Sequence, residues 1–257
     1  MTTTIPPPLP KADPTAALTA AVDNAETDGV RESVVVIDRS SGAVLDQLNP
    51  HQQFPALSLV KLMIAADILH GSGGRELPDQ TLDAELGEMI SKSDDDTADD
   101  LYAQSGGDEM VHRVVQRYGL AETSPSPETE YWGDVQTTAA DMASLIRQIL
   151  ADPVTSPVIG PAMLAATPIA DDGFDQQIGM NTIPGAGSKQ GWGCCLSGVV
   201  GIHSVGFTPD RIVAVLSSAQ PDDDSLGDQG GLALQADAGA EVSIAAVTDT
   251  AFAALTG

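Results

Sequence analysis

The stretch Leu57-Ser58-Leu59-Val60-Lys61-Leu62-Met63-Ile64-Ala65-Ala66-Asp67-Ile68-Leu69 is apolar on nearly every side of a helix. A helix without a continuous polar face has nothing to offer water, so the rest of the chain must close around it. Within it, Ser58 and Lys61 stand three residues apart, which puts a hydroxyl and an amine on one face, roughly 5–6 Å between Cβ atoms. Burial disfavours an ammonium, and so does the positive end of a helix dipole. An unprotonated Lys61 can take the Ser58 proton near neutral pH and leave a nucleophilic oxygen. The residues alone equally allow Ser58 as a helix N-cap and Lys61 as a lysine that extends its ammonium to solvent.

The chain has 257 residues, 42% of them hydrophobic, enough for a large single core. Its 37 acidic residues against 11 basic ones give a formal charge of −26. Phosphate backbones and anionic lipid surfaces are repelled by such a shell, so nucleic acid is excluded as a partner. Two of the scarce lysines, Lys61 and Lys189, fall among Leu, Val, Gly and Trp. A positive pocket in a negative protein is the expectation. The four histidines, His51, His70, His112 and His203, are scattered without ligand spacing, and the expectation is no metal and no cofactor. Cys194 and Cys195 form one dipeptide. Adjacent strand residues point to opposite faces, which favours two small buried apolar residues; a vicinal disulfide stays open.

Periodicity divides the chain. Residues 1–14, with Pro6-Pro7-Pro8-Leu9-Pro10, read as a stiff extended tether. A helix is expected over 15–26, then a hairpin of strands at 33–38 and 43–46 turning at Ser40-Ser41-Gly42. From 53 to 182 the pattern is helical, with Thr138-x-x-Asp141 resembling a capping box. Strands return at 187–195, 199–205 and 211–217, and a helix closes the chain at 236–255. The expected fold is α/β of the α+β kind: one five-stranded antiparallel sheet flanked by helices, plus an all-helical sub-domain. A single domain over 15–257 would comprise a sheet part, 15–52 and 183–257, and a helical part, 53–182, with Ser58 and Lys189 meeting at the seam.

Downstream of Ser58-Leu59-Val60-Lys61 come Ser93-Asp94-Asp95 and Lys189-Gln190-Gly191-Trp192. In order and separation they resemble the S-x-x-K, S-D-N and K-[ST]-G signatures of class A β-lactamases and penicillin-binding proteins. Ser-Asp-Asp, Lys-Gln-Gly-Trp, Cys194-Cys195, Tyr118-Gly119-Leu120, Tyr131-Trp132 and Ser218-Ala219-Gln220-Pro221-Asp222-Asp223 are together similar to the mycobacterial alanine-rich lipoproteins of LppW type. The resemblance implies Ser58 as nucleophile, Lys61 as its base, Ser93 as a proton-relay hydroxyl and Lys189 as a carboxylate anchor. Asp95, Gln190, Gly191 and Trp192 would border the substrate. The N–H groups of Ser58 and Trp192 would form an oxyanion hole.

Three departures matter. Asp95 replaces an amide and can only accept hydrogen bonds, so it can pair with Lys61 and keep it protonated. Gln190 replaces a hydroxyl. The region 122–136 lacks the E-x-x-L-N pattern of the deacylating glutamate, and Glu128 and Glu130 read as surface carboxylates. The implied function is a cell-envelope serine hydrolase with slow acyl-enzyme chemistry on a D-alanyl peptide, β-lactam or related amide or ester. A catalytically inactive protein that binds a peptidoglycan-derived ligand or a protein partner is the alternative. The N-terminus carries no signal peptide pattern. The expectation is an export signal and a lipid-anchor cysteine upstream of Met1, with the membrane touched only through that anchor.

Overall fold

The computed structural model describes residues 14–71, 79–127, 129–194, 198–222 and 231–256; residues 1–13 of the expected tether and Cys195 lie outside them, and Pro14, expected to end the tether, begins a helix. In chain order the elements are α1 (Pro14–Thr27), β1 (Arg31–Asp38), β2 (Val44–Leu48), β3 (Phe54–Pro55), α2 (Val60–Leu69), α3 (Asp79–Ser91), α4 (Asp95–Gln104) and α5 (Asp108–Tyr118). They continue with β4 (Gln136–Thr137), α6 (Ala139–Ala151), α7 (Ser156–Leu164), β5 (Gly187–Gly193), β6 (Val200–Phe207), β7 (Arg211–Ala219), α8 (Gly231–Leu234) and α9 (Ala238–Thr256). Five strands form one antiparallel sheet in the order β2-β1-β7-β6-β5, as expected. The middle of the chain is not all-helical. Phe54 pairs with Thr137 and Pro55 with Gln136 in a small second sheet, and two residues per strand are too few to leave an alternating pattern.

Alternation along the strands sorts the core into two layers. Val34, Val36, Val213 and Val215 face Leu18 and Val22 of α1 and Val247 and Ala251 of α9. Val35, Ile37, Val205, Phe207, Ala214 and Leu216 face the helices of the middle, among them Leu145 and Ile146 of α6. Both faces of the sheet are therefore covered, which explains why β1, β6 and β7 are buried almost throughout. Helix α2 sits inside the second layer, buried from Val60 to Ile68. Its two charged residues are fully buried and both are paired: Asp67 with the Arg113 guanidinium through two bonds of 3.0 and 2.7 Å, and Lys61 with Asp95.

Between the sheet and α9 lies Glu32, 2% exposed, whose Oε2 accepts from the Thr250 hydroxyl at 2.7 Å. Burial raises its pKa from 4.5 to about 7, against the opposing Thr250 bond. A raised carboxyl pKa stabilises the fold fully below the unfolded value and loses that contribution as pH rises through the folded one. Glu32→Gln, which cannot ionise, should therefore gain stability over the parent protein between pH 4.5 and 7, by about 3 kcal/mol in all. Urea unfolding at several pH values tests this. Parallel stability curves for the two proteins would contradict it.

Candidate active site

Ser58 occupies the middle of a 3-10 turn, Leu57–Leu59, that leads directly into α2. Its side chain caps no backbone N–H, so the N-cap reading does not hold. The turn is pinned from three sides. Ala56 N–H donates to Val135 O at 2.6 Å. On the sheet side, His203 Nε2 lies 2.8 Å from Pro55 O while Ser217 N–H reaches His203 Nδ1 at 3.2 Å. A carbonyl can only accept and an amide N–H only donate, so the proton of this imidazole sits on Nε2. Burial lowers the His203 pKa to about 4 and keeps the ring neutral. The third contact is Leu57, held at φ +51. Its side chain fills the recess left by Gly193 and Gly201, which face each other across β5 and β6 and whose Cβ atoms would come within 2.8 Å of it. A non-glycine residue at positive φ stores backbone strain, and here packing on both glycines holds it.

The four lysine and serine positions of the three motifs converge. Lys61 Nζ donates to Ser58 Oγ at 2.9 Å, to Ser93 O at 2.9 Å and to Ser93 Oγ at 3.2 Å. It also pairs with Asp95 Oδ1. Lys189 Nζ donates to the same Ser93 Oγ at 2.8 Å and to Gln190 O at 2.8 Å. One hydroxyl thus bridges two amines. Ser93 itself sits at φ +60, just before α4, whose N-cap Asp94 accepts from Thr97 N–H at 3.1 Å. That cap orients the Ser93-Asp94-Asp95 turn, placing Ser93 inward while the Asp95 side chain stays 52% exposed.

Ser58, Lys61, Ser93 and Lys189 are all buried. Burial lowers the Lys61 pKa, and Asp95 is the chief influence that pulls it back up. Lys189 is lowered well below its ordinary value, by burial first and then by Lys61. Its ammonium is directed at Ser93 Oγ and a main-chain carbonyl, not at open solvent. Register puts Lys189 and Gly191 on the helical side of β5, opposite Val205 and His203. A Cβ on Gly191 would lie 3.3 Å from Ala56 O and 3.4 Å from Ser58 N, so the glycine lets the strand approach the serine turn. Gln190 and Trp192 take the other side, opposite Ser204 and Ile202. Gln190 is fully buried, and among the described residues neither atom of its amide has a partner. The Trp192 ring stacks on Phe174 at 4.5 Å and its indole N–H donates to Asp172 at 2.9 Å.

Several site residues were not expected at the site from the sequence. The Trp132 ring lies 4.7 Å from Lys61 Nζ, and its N–H reaches Asp99 at 2.5 Å. Trp132 reaches the lysine because the 3-10 turn Trp132–Asp134 packs on the Ser58 turn. Asp172 and His203 arrive from loops and strands whose approach is tertiary. Among the described residues no carboxylate other than Asp95 bonds to Lys61 and none bonds to Ser58. Glu130 lines a surface hollow with Tyr102 and Asp108, and Glu128 lies outside the described residues. Cys194 is disulfide-bonded, which corrects the favoured reading of it as a reduced apolar residue. Among the described residues no group of His, Cys, Asp and Glu could hold a metal.

Comparison with known proteins places this geometry. LppW of Mycobacterium tuberculosis and of Mycobacterium bovis, whose name designates a lipoprotein, is 30% identical over 247 residues, covering 86% of this chain and 75% of the relative. A class A β-lactamase from Bacteroides cellulosilyticus superposes with a TM-score of 0.65 at 18% identity, covering 92% of this chain and 98% of the other. A β-lactamase from Sphaerobacter thermophilus gives 0.63 at 21% identity, covering 93% and 96%. At those identities the structures establish a β-lactamase-like fold and nothing of activity. No family model matches the chain.

The close approach of β5 to Ser58 can be tested at Gly191. Gly191→Ala should destabilise the protein by about 1–3 kcal/mol through overpacking. Gly87→Ala in α3, where a Cβ meets nothing within 4 Å, should stabilise it by about 0.5–1 kcal/mol. Chemical denaturation reads both; equal effects at the two positions would contradict the packing described.

Proposed function

The chain belongs to the LppW family, and we propose that its β-lactamase-like fold serves a slow serine acyl-transfer reaction at the cell envelope. The observation that carries this reading is the buried contact of 2.9 Å between Lys61 Nζ and Ser58 Oγ, with Ser93 Oγ linking Lys61 to Lys189. Ser58 Oγ attacks the acyl carbon of an amide or ester and passes its proton to an unprotonated Lys61. The Lys61–Ser93 link returns that proton to the leaving nitrogen or oxygen, so the acyl group ends on Ser58 and the leaving group departs neutral. The N–H groups of Ser58 and Trp192 are the donors proposed for the carbonyl oxygen as it gains charge.

Two features make the reaction slow. Asp95 competes for Lys61 and favours its protonated form, in which the amine cannot accept the Ser58 proton. Among the described residues no carboxylate hydrogen-bonds to Ser58, so none is held where it would activate a water against an acyl-Ser58 through that contact. The same Lys61–Asp95 pair supports a second reading, a catalytically silent protein that uses the cleft to bind a wall-derived ligand. The envelope location rests on the lipoprotein designation of the mycobacterial relatives.

A neutral fluorophosphonate, which loses fluoride to an activated serine oxygen, separates the two readings when intact mass is followed. Acyl-transfer chemistry predicts one adduct per chain, absent from Ser58→Ala. Asp95→Asn should form it about tenfold faster or more, as expected when a competing carboxylate is removed from a base. No adduct on the parent protein would leave only the binding role, and an unchanged or slower rate in Asp95→Asn would refute the quenching by Asp95.

A further inference from the structure

The two tryptophans of the chain each lie against one of the two lysines buried among the described residues, and each indole N–H is tied to an aspartate. Trp132 has its ring 4.7 Å from Lys61 Nζ and donates to Asp99; Trp192 has its ring 5.5 Å from Lys189 Nζ and donates to Asp172 at 2.9 Å. A ring face attracts an ammonium through its quadrupole, and a ring in that place also keeps water from the amine. The two rings differ in how they are held. Trp132 is 3% exposed, in a 3-10 turn packed on the Ser58 turn. Trp192 is half-buried and is the penultimate residue of β5, the outer strand of the sheet.

Lys189 and Trp192 leave β5 on opposite faces, and β6 closes one side of the strand. The amine and the indole therefore meet around the open edge. Asp172 lies across that edge. Its Oδ2 accepts the Trp192 indole N–H and its Oδ1 accepts the Phe174 backbone N–H at 3.0 Å, so one carboxylate holds both members of the Trp192–Phe174 stack. Gly173, at φ +87, makes the turn between Asp172 and Phe174. The segment carrying Asp172 is anchored just ahead of the Ser93 turn: Asp171 N–H donates to Lys92 O and Thr167 N–H to Ser91 O, both at 2.9 Å. Strand β5 and the Ser93 turn are thus joined twice, inside by Lys189 Nζ and Ser93 Oγ and outside by Trp192 and Asp172. The inner bond is buried and the outer one exposed. An exposed hydrogen bond exchanges with water at small net cost, so the outer link is the one that can open.

We propose that the Trp192 indole is a hinged cover over Lys189, latched by Asp172, and that it selects among acyl donors: a donor carboxylate reaches Lys189 only with the latch open. With the latch closed, Lys189 has no exposed surface, and its amine is taken up by Ser93 Oγ and Gln190 O. Rotation of the Trp192 side chain frees the ring for the loss of one exposed hydrogen bond and one ring stack, while Phe174 stays in the core. Donor selection rests on the serine chemistry proposed above; the cover itself does not.

Labelling of the full chain with acetic anhydride, read by peptide mass, tests the cover without a substrate. The parent protein should acetylate Lys92, whose side chain is 44% exposed, and spare Lys189. Asp172→Ala removes the acceptor; Trp192→Phe removes the donor and leaves the Asp172 charge in place. Each should raise labelling of Lys189 by about tenfold or more, as loss of a hydrogen bond to a charged group allows, with Lys61 still protected under Trp132. A rise in Asp172→Ala alone would mark a charge effect, and an equal rise at Lys61 would mark loss of folding; either pattern, or no rise, would overturn the cover. The parent protein supplies a check that needs no variant: the Trp192 indole N–H should exchange with deuterated water faster than that of Trp132, and equal or slower exchange would overturn the hinge. Selection is read on two p-nitrophenyl esters of equal length, one ending in a carboxylate and one in a methyl group. Both variants should acylate Ser58 faster than the parent with the carboxylate ester and at the parent's rate with the other; equal gains, or none, would overturn it. If neither ester acylates any of the proteins, donor selection falls with the serine chemistry, and the labelling decides the cover alone.

Discussion

An ammonium-bearing side chain with no exposure to water is the constraint around which this molecule is arranged. Lys61 enters the interior on a helix that is buried along almost its whole length, and an unpaired charge there would cost several kcal/mol. The surrounding chain meets that demand with Ser58 Oγ from the 3-10 turn that leads into the helix, the Ser93 hydroxyl and carbonyl, the Asp95 carboxylate and the Trp132 ring. They come from three separate turns, so satisfying one amine fixes the relative positions of the Ser58 turn, the start of α4 and the Trp132 turn. Structural necessity and chemical capacity coincide here, because the groups that stabilise the ammonium are also the groups through which a proton could leave it.

The sheet contributes the other wall. Strand β5 is the outer strand beside β6, and glycine at 191 lets its backbone come up to Ser58 while Lys189 reaches Ser93 from beneath. Positive φ at Leu57 and Ser93 marks the two places where the chain bends sharply to bring these groups together. Such strain persists only where surrounding contacts over-determine it, and the Leu57 recess, the His203 bond and the Asp94 cap are those contacts.

Much of this was readable in the chain itself, for definite reasons. Ser58 and Lys61 announce themselves because helical spacing alone determines that they are neighbours. Thr138 caps α6 by accepting from Asp141 N–H at 3.1 Å, a local bond that a four-residue pattern encodes. Strands β1, β6 and β7 were visible as runs of Val and Ile bounded by turn residues. The β3–β4 pair was not, since its partners lie 83 and 81 positions apart in the chain (54 to 137 and 55 to 136), with α2 to α5 between them. His203 looked like one scattered histidine, yet its two ring nitrogens tie the sheet to Pro55. Trp132 and Asp172 likewise acquire a role only through tertiary approach. The direction of Gln190, away from Lys189 and into a buried layer, follows from strand register, which a single motif does not carry.

The most direct measurement is the titration of Lys61 itself, followed through its side-chain Cε and Nζ resonances in the parent protein and in Asp95→Asn. The account predicts that Lys61 loses its proton below the ordinary lysine value of 10.5, and that removing the Asp95 carboxylate moves the midpoint lower still. An ordinary lysine titration in the parent protein, or a midpoint indifferent to Asp95, would contradict it.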